Sequence, residues 1–200
     1  MVKLFVDFDN TIVDTTEAFC KYFNDVYMED YNLGSIKSSW VKEYDFSDVI
    51  SISEGELIKA FKSERLFSYL RPYPYVRYAL ETLKKSGYFQ IYLVSNCSAE
   101  SAIRKLKWLD EFDLAQYFDG TIMLNINQAY NKSLIDMTDS ILIDDHHLNH
   151  SNSNAKWKFC YTGSVERNWH PKAGDGVFLF NHWASEMALD KILKIGAENK

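Results

Sequence analysis

The chain has 200 residues, 46% hydrophobic and 25% charged, enough for one full domain with room for a small inserted subdomain. Its formal net charge of −6 comes without a basic stripe, which argues against binding a nucleic-acid duplex and leaves a small anionic substrate open if a metal ion offsets an acidic site. No apolar run approaches the roughly 20 residues of a membrane span, and three widely spaced cysteines give neither a disulfide framework nor a C-x-x-C metal pair.

Val2-Lys3-Leu4-Phe5-Val6 leads straight into Asp7, without the apolar core and cleavage site of a signal peptide, so a cytoplasmic protein is expected. Residues 2–8 read as a buried parallel strand that ends in carboxylates. Asp14-Thr15-Thr16-Glu17 has the spacing of a helix capping box. The residues that follow it, Ala18, Phe19, Tyr22, Phe23, Val26 and Tyr27, repeat at helical period. Ser53-Glu54-Gly55-Glu56 is a second box before Leu57, Ile58 and Phe61, and Trp40, Tyr44 and Phe46 stand between the two. The stretch 16–70 is longer than an ordinary crossover and predicts a small helical cap, with residues 1–15 and 71–200 forming the core domain.

From Arg71-Pro72-Tyr73-Pro74 onward, strands and helices alternate. Pro74 suits a first helical turn, Val76, Ala79, Leu80 and Leu83 give that helix its buried face, and Gly87 stops it. Further strands are predicted at Gln90–Val94, Ile122–Ile126, Ile141–Ile143 and Lys158–Tyr161. Helices are predicted at Ala99–Leu109, capped by Ser98, and at Trp183–Leu193. Such alternation means an α/β fold, a parallel sheet covered by helices. Cys20 and Cys160 read as small core residues, and Cys97 as packing within a loop.

In an open α/β sheet a ligand sits beyond the carboxyl ends of the strands. Asp7, Asp9 and Thr11 follow the first strand, and Ser95 and Asn96 the second. Lys132 lies a few residues past the third, and Asp144 and Asp145 follow the fourth. Asp7 and Asp9, two apart, share one side of the chain, and close carboxylates need an intervening cation. Mg²⁺, which takes oxygen ligands, suits four acids at one sheet edge. Lys132, Ser95 and Asn96 can then hold phosphoryl oxygens. The set supports covalent catalysis in which Asp7 attacks phosphorus and Asp9 protonates the leaving oxygen, then activates water. Taken singly, an Asp-x-Asp is most often a turn or cap, a Ser-Asn pair ordinary loop chemistry and a lysine solvated. The weight lies in four strand ends carrying complementary groups in order.

Asp7-Phe8-Asp9-Asn10-Thr11, Ser95, Lys132 and Asp144-Asp145 together resemble the four motifs of the haloacid dehalogenase (HAD) superfamily, across nearly the whole chain. The resemblance implies a Rossmann-like core with an early helical cap, Mg²⁺ as cofactor, Asp7 as nucleophile and Asp9 as acid and base. The dehalogenases lack the second Asp, so a phosphatase is implied. A closer similarity is to the 5'(3')-deoxyribonucleotidases, in Leu70-Arg71-Pro72-Tyr73-Pro74, Leu142-Ile143-Asp144-Asp145 and His182-Trp183-Ala184-Ser185. By it Asp145 is a direct metal ligand, Asp144 its supporting partner, and Asp9 a ligand through its backbone carbonyl. Ser95, Asn96 and Lys132 hold phosphate, and Trp40 is the candidate to stack on a nucleobase.

Asn10 replaces the usual Gly, and Asn tolerates left-handed dihedrals. Ser95 replaces Thr and keeps the hydroxyl; Asn96-Cys97 replaces Ser-Pro. His146, His147 and His150 read as solvated loop residues rather than a separate metal site. The expected substrate is a (deoxy)nucleoside monophosphate. Alternatives are a sugar phosphate, a polynucleotide end, or a catalytically silent binding protein on the same fold. A signalling receiver domain has its acidic pair first and its phosphorylated Asp later, an order this chain reverses. A homodimer stays open, although no long exposed apolar segment identifies an interface.

Overall fold

A computed structural model describes residues 1–27, 34–125, 132–172 and 174–200. Among these residues six parallel strands form one sheet in the order β3-β2-β1-β4-β5-β6. They are β1 (Val2–Asp7), β2 (Phe89–Cys97), β3 (Gly120–Asn125), β4 (Ile141–Asp144), β5 (Trp157–Tyr161) and β6 (Phe178–Phe180). Leu4, Val6, Ile91, Leu93, Ile141 and Ile143 are fully buried, as expected of parallel strands covered on both faces. The helices among the described residues are α1 (Thr15–Val26), α2 (Glu54–Phe61), α3 (Glu64–Tyr69), α4 (Val76–Lys85), α5 (Ala99–Glu111), α6 (His147–Asn152) and α7 (Glu186–Glu198). The α/β class expected from the sequence is the fold observed.

Local signals set the helix ends. Ser53 and Glu56 form a complete capping box on α2. Asp14 accepts from the Glu17 amide at 2.9 Å, but the Glu17 carboxylate turns instead to Ser38 and Lys21. Gly87, at φ +68°, ends α4 in the left-handed conformation that glycine adopts without strain. Pro74 lies just before α4 rather than in its first turn, because Tyr75 intervenes at φ 65° as the N-cap.

Several predicted boundaries are corrected. β2 runs on through Ser95, Asn96 and Cys97, which pair with Met123, Leu124 and Asn125 of β3. Cys97 is therefore a buried strand residue and not part of a loop. β6 is an additional strand, paired with β5 through Phe159 and Phe178. The last helix begins at Glu186, capped by Ser185; Trp183 precedes it, buried, with its indole donating to the Thr11 carbonyl at 2.8 Å. The predicted strand end at Ile126 lies outside the described residues.

Between β1 and α4 the chain leaves the sheet and returns beside itself. Val13 bridges antiparallel to Pro72, and the Tyr73 amide donates to the Ile12 carbonyl at 2.9 Å. Beyond this neck, Phe19 packs on Phe46 and Phe61 with ring centroids 4.3 and 5.0 Å apart. Those rings continue into the same buried cluster as the sheet residues.

Candidate active site

Strand order reverses direction at β1, with β2 and β3 on one side and β4 to β6 on the other. This is the switch point where a crevice opens beyond the strand ends. Val6 pairs with Ile143, so Asp7 and Asp144, one residue further along, emerge level on adjacent strands. Carboxylate oxygens of Asp7, Asp144 and Asp145 lie within 4.8 Å of one another, and all three residues are buried. Lys132 is itself fully buried and donates to both Asp7 and Asp144.

Asp9 is held by a second lysine. The Lys105 ammonium donates to Asp9 Oδ2 and, at 2.7 Å, to Ser95 Oγ. The Thr15 hydroxyl donates to Asp9 Oδ1 at 2.8 Å. The turn between them is fixed by Asn10, which has the left-handed φ of 51° expected from the sequence. Its side-chain oxygen accepts from the Thr16 amide at 3.0 Å and the Thr16 hydroxyl at 2.9 Å.

Three carboxylates, Asp7, Asp9 and Asp144, thus share two ammonium groups while Asp145 has none, and burial amplifies the imbalance. Burial, with help from Asp144 and Asp9 and against Lys132, pushes the Asp7 carboxyl up to about 7. Burial likewise holds Asp145 well above the usual carboxylate range, with Asp144 and Asp7 adding to it. Asp144 is also buried, yet Lys132 and His150 outweigh that cost and keep it below its ordinary value. Lys132 is held charged by Asp144 and Asp7 despite its burial.

The donor set fits a hard divalent cation, since every group is a carboxylate oxygen and the cluster has negative charge to spare. Asp144 is the most committed of the three. Its Oδ1 accepts from the His146 amide and from Asn149 Nδ2, both at 2.9 Å, and its Oδ2 is taken by Lys132. Asp145 accepts at Oδ2 from the Trp169 indole at 2.7 Å.

The remaining predicted residues are placed less uniformly. Ser95 is buried beside Lys105 and joins the cluster. Asn96 follows it on β2, and its side-chain oxygen is buried without a hydrogen-bond partner. Thr11 is fully buried, its hydroxyl also unpartnered, so no hydrogen bond ties that side chain to the carboxylates. Trp40 is 52% exposed, with the Lys37 ammonium 5.4 Å from its ring centroid. Tyr44 is the aromatic that packs beside the carboxylate loop, edge-on to His146 at 4.8 Å and to Trp169 at 5.6 Å. Phe46 is core. The three histidines are not a loop: His146 caps α6 and His147, exposed as expected, opens it, whereas His150 is buried with Nε2 2.9 Å from the Asp144 carbonyl.

Among the described residues, three whose side chains bond the carboxylates were not singled out in the sequence: Lys105, Asn149 and Trp169. Lys105 left one trace there. It shares the buried face of α5 with Ser101, Trp108 and Leu109, and a lysine on such a face is out of pattern. Trp169 left none, because only the loop after β5 brings it to Asp145.

This parallel sheet, with carboxylates crowded at its switch point, is that of a Rossmann-like α/β hydrolase. The chain belongs to the haloacid dehalogenase-like hydrolases, whose family model matches residues 4–146. No curated protein sequence matches it. Among solved structures it is similar to a candidate β-phosphoglucomutase from Thermotoga maritima, with 20% identity, TM-score 0.63 and all of both chains covered. It is also similar to a HAD-superfamily hydrolase of subfamily IA from Geobacter sulfurreducens, with 16% identity, TM-score 0.59, and 94% of this chain and 99% of that one covered. A third is the candidate HAD hydrolase YfnB from Bacillus subtilis, bound to magnesium, with 12% identity, TM-score 0.59, and 96% and 98% covered. At these identities the likeness is one of fold. Among the described residues no helix is long and apolar enough to cross a membrane.

Proposed function

We propose that this hydrolase is a magnesium-dependent phosphomonoesterase that works through an aspartyl phosphate on Asp7. The supporting observation is the pair Asp7 and Asp9 at the switch point, held by two different buried lysines, Lys132 and Lys105. An incoming phosphate dianion competes for the ammonium groups of Lys132 and Lys105 and so loosens both carboxylates. Asp7 then attacks phosphorus, and Asp9 gives its proton to the leaving oxygen. In the second half-reaction Asp9 takes a proton from water, and the water oxygen displaces Asp7 to release inorganic phosphate. In this reading Ser95 Oγ and the Asn96 side-chain amide donate to phosphoryl oxygens. Magnesium would be held by Asp7, Asp145 and the Asp9 carbonyl, with Asp144 behind them, and would supply charge neutralisation for the phosphoryl group.

The helical stretch 16–70 serves in this reading as a cap hinged at the Val13–Pro72 neck. Its exposed aromatics, Tyr44 beside the carboxylate loop and Trp40, support a nucleoside monophosphate as substrate. A sugar phosphate is the second reading, favoured by the full-length likeness to a candidate β-phosphoglucomutase. Phosphate release from a panel of nucleoside monophosphates and sugar phosphates, with Mg²⁺ and with EDTA, separates the two. Asp7→Asn should lower turnover on the order of 10⁴-fold or more while circular dichroism stays unchanged. A variant as fast as the parent removes Asp7 from the nucleophile's role.

A further inference from the structure

Asp145 differs from its acidic neighbours in its partner. Asp7 and Asp144 share an ammonium group, and Asp9 has another, whereas Asp145 is met by a neutral donor, the Trp169 indole, 2.7 Å from Oδ2. Both residues are almost wholly buried, at 4% and 3% exposure, so no water competes for that bond. A neutral donor fixes the plane of a carboxylate without cancelling its charge; a lysine in that place would repel a cation.

The indole is itself fixed on several sides. Its backbone carbonyl accepts from the His147 amide at 2.8 Å, tying it to the first turn of α6, two residues after Asp145. The Arg167 guanidinium lies 5.1 Å from the ring centroid, and Tyr44 packs against the ring from the helical segment. Arg167 also donates to the carbonyls of Ser38 and Val41 at 3.1 and 2.6 Å, and the Asn168 amide donates to the Lys42 carbonyl at 3.0 Å. A carboxylate rotates softly about its last torsion, and this assembly removes that freedom.

The geometry points to Trp169 as the positioning residue of the metal ligand Asp145: its N–H holds Oδ2 so that Oδ1 is presented to the ion. The inference rests on the magnesium reading of the site. It assigns Trp169 no contact with substrate; the residue acts through Asp145 alone. Partners that orient a metal ligand typically change metal affinity by about 10–100-fold when removed.

The test is Mg²⁺ binding by titration calorimetry on the full chain, without substrate. Trp169→Phe keeps a ring and loses the donor, and should weaken Mg²⁺ about 10–100-fold with the metal-free circular dichroism spectrum unchanged. Trp169→His restores a ring N–H and should recover part of that loss, which a purely space-filling role would not produce. A folded Trp169→Phe that binds Mg²⁺ as tightly as the parent overturns the inference and leaves the magnesium reading intact. A parent chain that binds no Mg²⁺ overturns both. Should the variants not fold, the parent labelled with ¹⁵N in its five tryptophans decides. An indole N–H resonance that moves on Mg²⁺ addition supports the assignment, and none moving overturns it.

Discussion

Lys105 occupies a helix position that would ordinarily go to leucine. It shares the buried face of α5 with Trp108 and Leu109, and its ammonium lies 4.8 Å from the Phe8 ring centroid. Burying a lysine is costly unless the charge is met, and here the Asp9 carboxylate and the Ser95 hydroxyl meet it. The same two groups flank the proposed path of the phosphoryl group, so the cation also serves the substrate. Lys105→Met preserves the volume and apolar stem and removes the charge. Turnover is expected to fall about 10²-fold, the usual scale for losing one donor to a developing charge, with the fold retained by circular dichroism. Unchanged turnover would reduce Lys105 to a structural counter-ion for Asp9.

At the scale of elements, α7 shows how closely one helix can be set against the sheet. A Cβ at Gly196 would lie 2.4 Å from the Phe89 ring and 2.8 Å from the Tyr88 Cβ, so hydrogen is the only side chain that fits. Gly196→Ala should cost about 1–3 kcal/mol through overpacking, outweighing any gain in helix propensity, and denaturant unfolding would show it as a lower midpoint. Neither this contact nor β6 was legible in the sequence. β6 has three residues, follows the glycine pair at 174 and 176, and exists because β5 offers it an edge. Trp183 reads as the start of a helix because it is apolar and well spaced, yet its burial comes from the Thr11 carbonyl and the aromatic pair Tyr161 and Phe180. By contrast β1, β4 and the carboxylates at their ends were legible, since a short apolar run closing on acids is a local pattern. Lys132 was found by its place in the order of strand ends. Trp169 reaches the site only through tertiary folding, and no local pattern announces that.

For the whole molecule, pH acts through two opposed sets of groups. Burial, reinforced by the positive charge of Arg167, lowers the His170 imidazole to about 4, and burial likewise lowers His146 to about 4. The unfolded chain binds protons there that the folded chain refuses, so this contribution is intact above about 6.5 and is lost as pH falls towards 4. For His170 it amounts to about 3 kcal/mol at most. Asp7, raised to about 7, runs the other way in the metal-free protein: the folded state holds a proton, and stability falls as pH rises from 3.8 to 7. Thermal melts in EDTA should therefore vary less between pH 5 and 7 than melts in saturating Mg²⁺, where a bound cation keeps Asp7 ionised. Equal slopes would mean that the ion does not engage Asp7. The central place of β1 has one more consequence, for biogenesis. Val2 pairs with Phe89 and Leu4 with Ile141, so β1 is flanked by partners made much later than itself. At synthesis rates of 5–20 residues per second, β1 waits roughly 7 to 30 s on the ribosome for β4. Asp7 and Asp9 leave the exit tunnel well before Asp145, so in the proposed reaction the nucleophile waits in the nascent chain for its metal ligand.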